Sequence, residues 1–142
     1  MTTTIKSKLI CILPLLLAAC ATAPPATVCA PGLGEPMLTY ELFFGRTVPA
    51  RSDVAEHEWT AFIEDTVTPA LPDGFTVFDA RGAWYSARAG RTIHQTSKVI
   101  LVALPDTPAS LDAVNRVRSV YKSRFNQQVV GMTAQPTCAT FQ

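Results

Sequence analysis

Apolar and polar side chains alternate along residues 38–44, just before Gly45. One side of the alternation carries Leu38, Tyr40, Leu42 and Phe44, and the other carries Thr39, Glu41 and Phe43. A period of two is typical of a β-strand, and the first set is apolar throughout. The pattern therefore predicts a strand with one well-buried face that ends at Gly45.

The spacing changes to that of a helix between residues 55 and 67. The apolar stripe consists of Ala55, Trp59, Phe62, Ile63, Thr66 and Val67. Steps of three and four residues place this stripe on one helix face, which predicts packing against a sheet. We expect Ser52 or Asp53 as the N-cap, with Asp53 and Glu56 as a capping box, and Pro69 as the residue that stops or kinks the last turn.

A turn signal at residues 71–74, Leu-Pro-Asp-Gly, introduces a second strand at residues 75–79. We expect a bulge at residues 80–82, a continuation to residue 87, a turn at residues 88–90 and a returning strand at residues 91–104. The result is one long hairpin. Its apolar run at residues 99–104 predicts a central strand that is buried on both faces.

A second helix is predicted after residue 106, where Thr107 supplies a cap and Pro108 occupies the first helical position. Its inward face is predicted to carry Leu111, Val114, Val117, Tyr121 and Phe125. The solvated side chains are predicted to be Asp112, Arg116, Ser119 and Lys122. A final strand at residues 128–133 then precedes a tail at residues 135–142.

The predicted order is β-α-β-β-α-β, which is the arrangement of ferredoxin-like folds. The sequence therefore predicts an α+β protein in which two helices cover one face of a four-stranded antiparallel sheet. The first and last strands are neighbours in this topology. The entry to the first strand thus lies near the exit of the last one.

The first 19 residues form a segment of a different kind. Lys6 and Lys8 precede a short apolar run at residues 9–17, which is typical of a secretory signal. Pro14 interrupts the run, and a membrane-spanning helix needs about 20 apolar residues. Leu17-Ala18-Ala19-Cys20 resembles the lipobox of bacterial lipoproteins, although Cys20 could also be a small residue within an ordinary secretory signal.

The lipobox resemblance implies that residues 1–19 are removed and that Cys20 becomes an acylated N-terminus, carrying chains such as palmitate. Two or more acyl chains give stable membrane anchoring. Ala21 follows the cysteine instead of an acidic residue, which implies delivery to the outer membrane, facing the periplasm. Residues 20–36 are rich in Ala, Thr, Pro and Gly and are interpreted as a lipidated tether, with one domain at residues 37–142.

Removal of the signal changes the charge of the chain. The sequence contains 12 basic and 11 acidic residues, and the loss of Lys6 and Lys8 turns the formal charge slightly negative. No strongly basic field remains, so nucleic acid is not an expected partner.

Cys29 and Cys138 form an even pair in an oxidising compartment, which favours a disulfide over two free thiols or a metal site.

No catalytic, metal or phosphate-binding motif stands out, so we expect no cofactor and favour a non-enzymatic role. Two candidate binding surfaces emerge. The first is the sheet face opposite the helices, where Glu41, Phe43 and Lys98 would form a floor for a ligand, a dimer interface or a solvated surface. The second is the hairpin end, where arginines and aromatic residues are either partner anchors or ordinary exposed side chains. Its members are Arg81, Trp84, Tyr85, Arg88 and Arg91.

Four stretches resemble a family of short exported bacterial proteins and lipoproteins of unknown function. These stretches are residues 41–46 (ELFFGR), 59–62 (WTAF), 68–77 (TPALPDGFTV) and 97–99 (SKV). The resemblance spans about residues 39–130 and implies a conserved domain without assigning an activity. We therefore expect an envelope lipoprotein that binds itself or another envelope component. The alternative is a small-ligand-binding protein or enzyme that uses a dimer cavity on the open sheet face.

Overall fold

A single four-stranded antiparallel sheet organises the chain. The computed structural model of the protein describes residues 28–48, 51–87 and 89–141. The elements are β1 (Glu35–Gly45), α1 (Glu56–Phe62), a π-helical turn (Ile63–Val67), α2 (Thr68–Ala70), β2 (Thr76–Ser86), β3 (Arg91–Leu104), α3 (Pro108–Arg124) and β4 (Gly131–Ala139). The strand order is β2-β3-β1-β4. The predicted ferredoxin-like α+β fold is confirmed.

The predicted signal, Cys20 and residues 21–27 of the tether lie outside the described residues. Within the described part of the chain, no helix is long and apolar enough to cross a membrane.

The helices pack on one face of the sheet and form the hydrophobic core with it. The sheet contributes Tyr40, Leu42, Phe44, Ile100 and Val102, and the helices contribute Trp59, Phe62, Val67, Val114, Val117 and Tyr121. The alternation predicted for β1 is confirmed, because Tyr40, Leu42 and Phe44 are all buried. The neighbouring residue Phe43 points to the opposite face and is 40% exposed.

Phe44 lies at the centre of an aromatic cluster that joins both α1 and α3 to the sheet. Its ring centroid is 4.8 Å from that of Tyr121, 5.4 Å from that of Trp59 and 5.9 Å from that of Phe62. The three contacts are edge-on, the geometry that the charge distribution of aromatic rings favours. The Tyr121 hydroxyl donates a hydrogen bond of 3.0 Å to the Gly45 carbonyl.

The first helix begins later than its predicted cap. Ala55 occupies the N-cap position, and the Glu58 carboxylate accepts a hydrogen bond of 2.9 Å from the Ala55 N–H. The predicted pairing of Asp53 with Glu56 was therefore wrong. Asp53 instead accepts a hydrogen bond from the Thr96 hydroxyl of β3.

Pro69 lies in the last turn of the helical segment, which ends at Ala70. The chain widens into the π-helical turn before it, where the Thr68 N–H donates to the Ile63 carbonyl. A proline ring clashes with the carbonyl four residues earlier in a regular α-helix, and it has no N–H to donate. The wider turn accommodates the ring and lets α2 continue to Ala70.

The hairpin of β2 and β3 is continuous, so the predicted bulge at residues 80–82 was wrong. Its register runs without interruption from Thr76↔Leu101 to Ser86↔Arg91. The pairing of β1 with β3 already ends at Gly45↔Ser97. The hairpin therefore extends past the end of β1, by roughly 15–20 Å at 3.3 Å per residue.

Two further predictions near the C-terminus need correction. Leu111 is 41% exposed and does not belong to the buried face of α3. The last strand starts at Gly131 and extends to Ala139, so Cys138 belongs to β4 and not to a tail. The predicted cap is confirmed, because the Thr107 hydroxyl accepts a hydrogen bond from the Ser110 N–H.

A disulfide joins Cys29 to Cys138 and closes the sheet at the start of β1. The two Cα atoms are 5.7 Å apart, although 109 residues separate them in sequence. Pro36 of β1 pairs with Cys138 of β4 in the same region. Gly34 has a φ of +89°, and a Cβ at this position would overlap the Ala139 carbonyl. The predicted pairing of the cysteines is present.

Loss of this disulfide is expected to destabilise the domain. For a closed loop of about 100 residues, the cross-link contributes about 2–5 kcal/mol, mostly by restricting the unfolded chain. Cys29→Ser and Cys138→Ser should each lower the free energy of unfolding in urea by this amount. The double variant should match either single variant. Variants as stable as the oxidised wild type would contradict a structural role for the bridge.

Candidate functional site

A trough of about 780 Å³ lies on the open face of the sheet, opposite the helices. It forms where β1 ends, between the projecting part of the hairpin and the loop at residues 126–130. We call it the open-face trough. The residues that define it are Phe43, Gly45, Thr47, Ala80, Arg81, Gly82, Ala83, Trp84, Ile93, Gln95, Ser97, Val99, Asn126, Gln127, Gln128, Val129 and Gly131.

Small residues from all four strands contribute to the lining of the trough. These residues are Gly45, Ala80, Gly82, Ser97 and Gly131. A Cβ on Gly45 would lie 2.5 Å from Nε2 of Gln95, so the Gln95 amide occupies the space above this glycine. A Cβ on Gly131 would lie 3.3 Å from the Phe43 ring. These two glycines leave room for close neighbours, and neither has a positive φ.

Apolar side chains form the walls. Trp84 and Ile93 face each other across the hairpin and project to the same side of it. Phe43 and Val99 form a second cross-strand pair nearer the centre of the sheet. Trp84 is 46% exposed, which leaves part of its indole surface open to the trough.

The remaining wall carries side-chain amides. Asn126 adopts a left-handed backbone with a φ of +51° directly after α3, and this turns the chain toward the open face. Gln127 Nε2 donates a hydrogen bond of 2.8 Å to the Thr47 carbonyl and holds the loop against the end of β1. Gln128 and Gln95 add two further amides to the lining. The trough thus combines aromatic and aliphatic walls with uncharged hydrogen-bonding groups.

The structure combines parts of the two predicted binding surfaces. Phe43, proposed for the sheet floor, and Trp84, proposed for the hairpin, line the same trough. Arg81 borders it too, but the β2–β3 register places its side chain on the opposite face, with Asp79 and Tyr85. Glu41 lies on the open face but outside the trough, where its carboxylate accepts a hydrogen bond of 3.0 Å from the Thr133 hydroxyl.

Lys98 is on the other side of the sheet, so the predicted grouping of Glu41, Phe43 and Lys98 does not form. Lys98 pairs with Phe44 of β1 and shares its helix-facing side. It is only 5% exposed, and its ammonium lies 2.7 Å from carboxylate oxygens of both Glu56 and Asp79. The same ammonium lies 5.9 Å from the centre of the Trp59 ring. Lys98 therefore joins β3 to α1 and β2.

The ion cluster around Lys98 shifts the pKa values of its members. The hydrogen bond from Lys98 is the main reason that the pKa values of Glu56 and Asp79 are lowered. Burial lowers the pKa of Lys98, but its hydrogen bonds to the two carboxylates outweigh this effect, and the pKa is raised overall. Arg46 adds a second cation 3.0 Å from Glu56. A buried cation that pairs with two carboxylates is typical of an ion cluster that stabilises the fold.

The other residues of the predicted hairpin surface do not line the trough together. Tyr85 faces the side opposite Trp84 and is 68% exposed. Arg91, at the start of β3, is exposed and lies outside the trough lining. Arg88 lies outside the described residues.

Sequence reasoning missed Gln95, Gly45 and the loop at residues 126–130 as parts of the site. Gln95 and Ser97 alternate with Lys98 along β3, and this parity would have placed them on the face of Phe43 once the register was known. The predicted final strand, residues 128–133, included only the second part of this loop, and residues 126 and 127 carried no functional prediction. A search for three or more histidine, cysteine or acidic side chains grouped to hold a metal finds none within the described part of the chain.

Comparison with known proteins gives a family and a fold. A family model described as a protein of unknown function, DUF3574, matches residues 39–141. No curated protein matches the chain. A phage SAM lyase solved with S-methyl-5'-thioadenosine is similar with a TM-score of 0.57 and 14% identity, over 70% of this chain and 80% of the lyase.

CutA proteins share the same architecture. CutA1 from Oryza sativa has a TM-score of 0.50 and 12% identity, over 77% of this chain and 86% of its own. CutA from Synechococcus elongatus has a TM-score of 0.50 and 14% identity, over 76% of this chain and 87% of its own. At these identities the likeness is one of fold.

The Lys98 cluster predicts a specific dependence of stability on pH. The pKa values of Glu56 and Asp79 are lower in the folded state than their ordinary values of 4.5 and 3.8. Their contribution is therefore present above those ordinary values and is lost as the pH falls through the folded ones. Lys98→Met should flatten this acid-side loss in urea unfolding measured at a series of pH values.

Lys122→Met is a matched control, because Lys122 is exposed on α3. It should keep the wild-type pH profile. An unchanged acid-side slope in Lys98→Met would contradict the role assigned to the cluster.

Proposed function

The chain belongs to the DUF3574 family of proteins of unknown function, and from its open-face trough we propose that it is a lipid-anchored, non-enzymatic binding protein of the bacterial cell envelope. The single observation that carries the binding role is the trough itself, whereas the anchor rests on the motif that ends at Cys20. Its volume of about 780 Å³ lies within the roughly 300–1,000 Å³ that is usual for ligand sites. Its mixture of apolar walls and a few polar groups is also usual for such sites.

The chemistry of the lining favours binding over catalysis. Among the described residues that line the trough, Arg81 is the only one with an ionisable side chain. General acid–base and nucleophilic catalysis both need a titratable or activated group at the reacting atoms. Arginine stays protonated and is a poor proton acceptor. The lining thus offers contact area and hydrogen bonds in place of a proton-transfer pair.

The position of the disulfide supports an arrangement with one anchored end and one binding end. Cys29 and Cys138 lie where β1 begins, and Gly45 at the far end of β1 lines the trough. About nine residues of strand separate the two ends, or roughly 30 Å. The tether from Cys20 to Cys29 also spans about nine residues and at most roughly 30 Å. The trough is thus remote from the tethered end.

The rest of the open face carries an exposed apolar residue, which favours burial of this face against another protein. Phe78 lies beside Val99 on this face and is 49% exposed. A large apolar side chain on an uncovered sheet face is often buried against another protein. A second copy of the chain, or another envelope protein, would cover this part of the face and partly close the trough. This is the second candidate function.

Photo-crosslinking from single positions tests the binding role. Trp84→p-benzoylphenylalanine places a photoreactive ring in the trough, and Tyr85→p-benzoylphenylalanine places it on the opposite side of the same hairpin. After irradiation of intact cells, mass spectrometry should find an adduct at position 84 and none at position 85. A small added mass indicates a ligand, and a protein adduct indicates a cover. Equal labelling at both positions, or none at position 84, would contradict the proposal.

Anchoring through Cys20 makes a separate prediction. The protein purified from membranes should begin at Cys20 and carry the added mass of acyl chains. Cys20→Ser should leave the membrane fraction, because the attachment atom is lost, whereas Cys29→Ser should stay in it. An unmodified N-terminus downstream of Cys20 would contradict the anchor.

A further inference from the structure

We propose that the open-face trough binds a short neutral glycan that stacks on Trp84 and hydrogen-bonds to the amide of Gln95. The inference rests on the proposed binding function and deepens it by naming the class of ligand. Three features carry it: an exposed indole on one wall, amides on the floor and on the opposite wall, and a nearly uncharged lining.

The indole of Trp84 supplies a flat apolar surface with a polar edge. Its neighbour across the hairpin, Ile93, projects to the same side. A sugar ring has an apolar face made of C–H groups and a rim of hydroxyls, which matches an aromatic plane bordered by hydrogen-bonding groups. A tryptophan that is half-exposed in a concave site keeps contact area available for such a ring.

The amides match the rim of hydroxyls. A side-chain amide both donates and accepts hydrogen bonds, as a sugar hydroxyl does. The Gln95 amide lies directly above Gly45 at the floor. Among the hydrogen bonds formed by described residues, none engages the Gln95 amide or the Ser97 hydroxyl. Within the part of the chain that the structure describes, both groups are therefore available to a ligand.

The charge of the lining argues for a neutral ligand. Arg81 is the only ionisable residue among the described residues of the lining, and the β2–β3 register places its side chain on the opposite face. A polyanion usually binds to clustered cations, and the described lining has no such cluster. An acyl chain would cover the amides without replacing their hydrogen bonds to water, and uncompensated burial of a polar group is unfavourable. A hydroxyl-rich, uncharged molecule avoids both costs.

Two glycines let polar side chains form the floor. The Gln95 amide lies over Gly45, and the Ser97 hydroxyl would be 3.2 Å from a Cβ on Gly82, so both polar groups face the trough. At about 780 Å³, the trough has room for more than one ring. A short oligosaccharide fits this volume better than a single sugar.

Titration of the full chain, held in phospholipid nanodiscs to avoid sugar-based detergents, tests the inference. The probes are the neutral trisaccharides N,N′,N″-triacetylchitotriose, maltotriose and cellotriose, with decanoate as the apolar anionic comparison. The readouts are isothermal calorimetry and tryptophan emission, in which Trp59 is a buried background and Trp84 reports the trough. At least one trisaccharide should bind saturably and change the emission.

Variants separate stacking from hydrogen bonding. Trp84→Ala should weaken binding roughly tenfold, through loss of the stacking surface, and Gln95→Leu roughly fivefold, through loss of hydrogen bonds at similar volume. Gly45→Ala should also weaken binding, because its Cβ displaces the Gln95 amide. Tyr85→Ala is the matched control and should bind as wild type does. Circular dichroism on each variant checks that it is folded.

The outcomes distinguish this inference from the proposed function. Binding of decanoate alone, or trisaccharide binding that is unchanged in both Trp84→Ala and Gln95→Leu, would overturn the glycan assignment. Absence of binding by all three trisaccharides would also overturn it. If a crosslinked adduct still forms at position 84, the binding role survives with another ligand. If no adduct forms there either, the binding role fails as well.

Discussion

The packing of Phe44 against Tyr121, Trp59 and Phe62 is the interaction on which the rest of the structure depends. It places both α1 and α3 on the same face of the central strand β1. The Tyr121 hydroxyl then binds the Gly45 carbonyl from the core side, and burial raises its pKa to about 12. Because side chains alternate along a strand, seating Phe44 in the core sends Phe43 to the open face.

The open-face trough follows from two consequences of that packing. All the described helices cover one face, so the opposite face of the sheet is left for other contacts. The hairpin also continues past the last β1–β3 pair, Gly45↔Ser97, so no described strand pairs with its outer part on that side. The chain after α3 turns at Asn126 and supplies the missing wall. Gly45 lies between the core and the trough: the Tyr121 hydroxyl binds its carbonyl, and the Gln95 amide lies above its Cα.

The ion cluster shows that a stabilising residue can be mistaken for a binding residue when only the sequence is known. A lysine in a strand next to apolar residues suggests an exposed binding group. Lys98 is instead buried on the helix side, and the exposed carboxylates of Glu56 and Asp79 neutralise it. A one-residue change of register would have placed it beside Phe43, because a shift of one residue moves a side chain to the other face. Strand pairing, and not residue type, decided its role.

The sequence by itself determined the order of elements, the buried side of β1, the cap at Thr107 and the pairing of Cys29 with Cys138. These features depend on local periodicity, on capping chemistry and on the topology that the element order implies. It also identified Phe43, Arg81 and Trp84 as exposed candidates. Only the tertiary structure decided which of them meet, because the β1–β3 register and the loop after α3 are long-range features. They bring Phe43, Trp84 and Gln95 into one trough and bury Lys98 on the other side of the sheet.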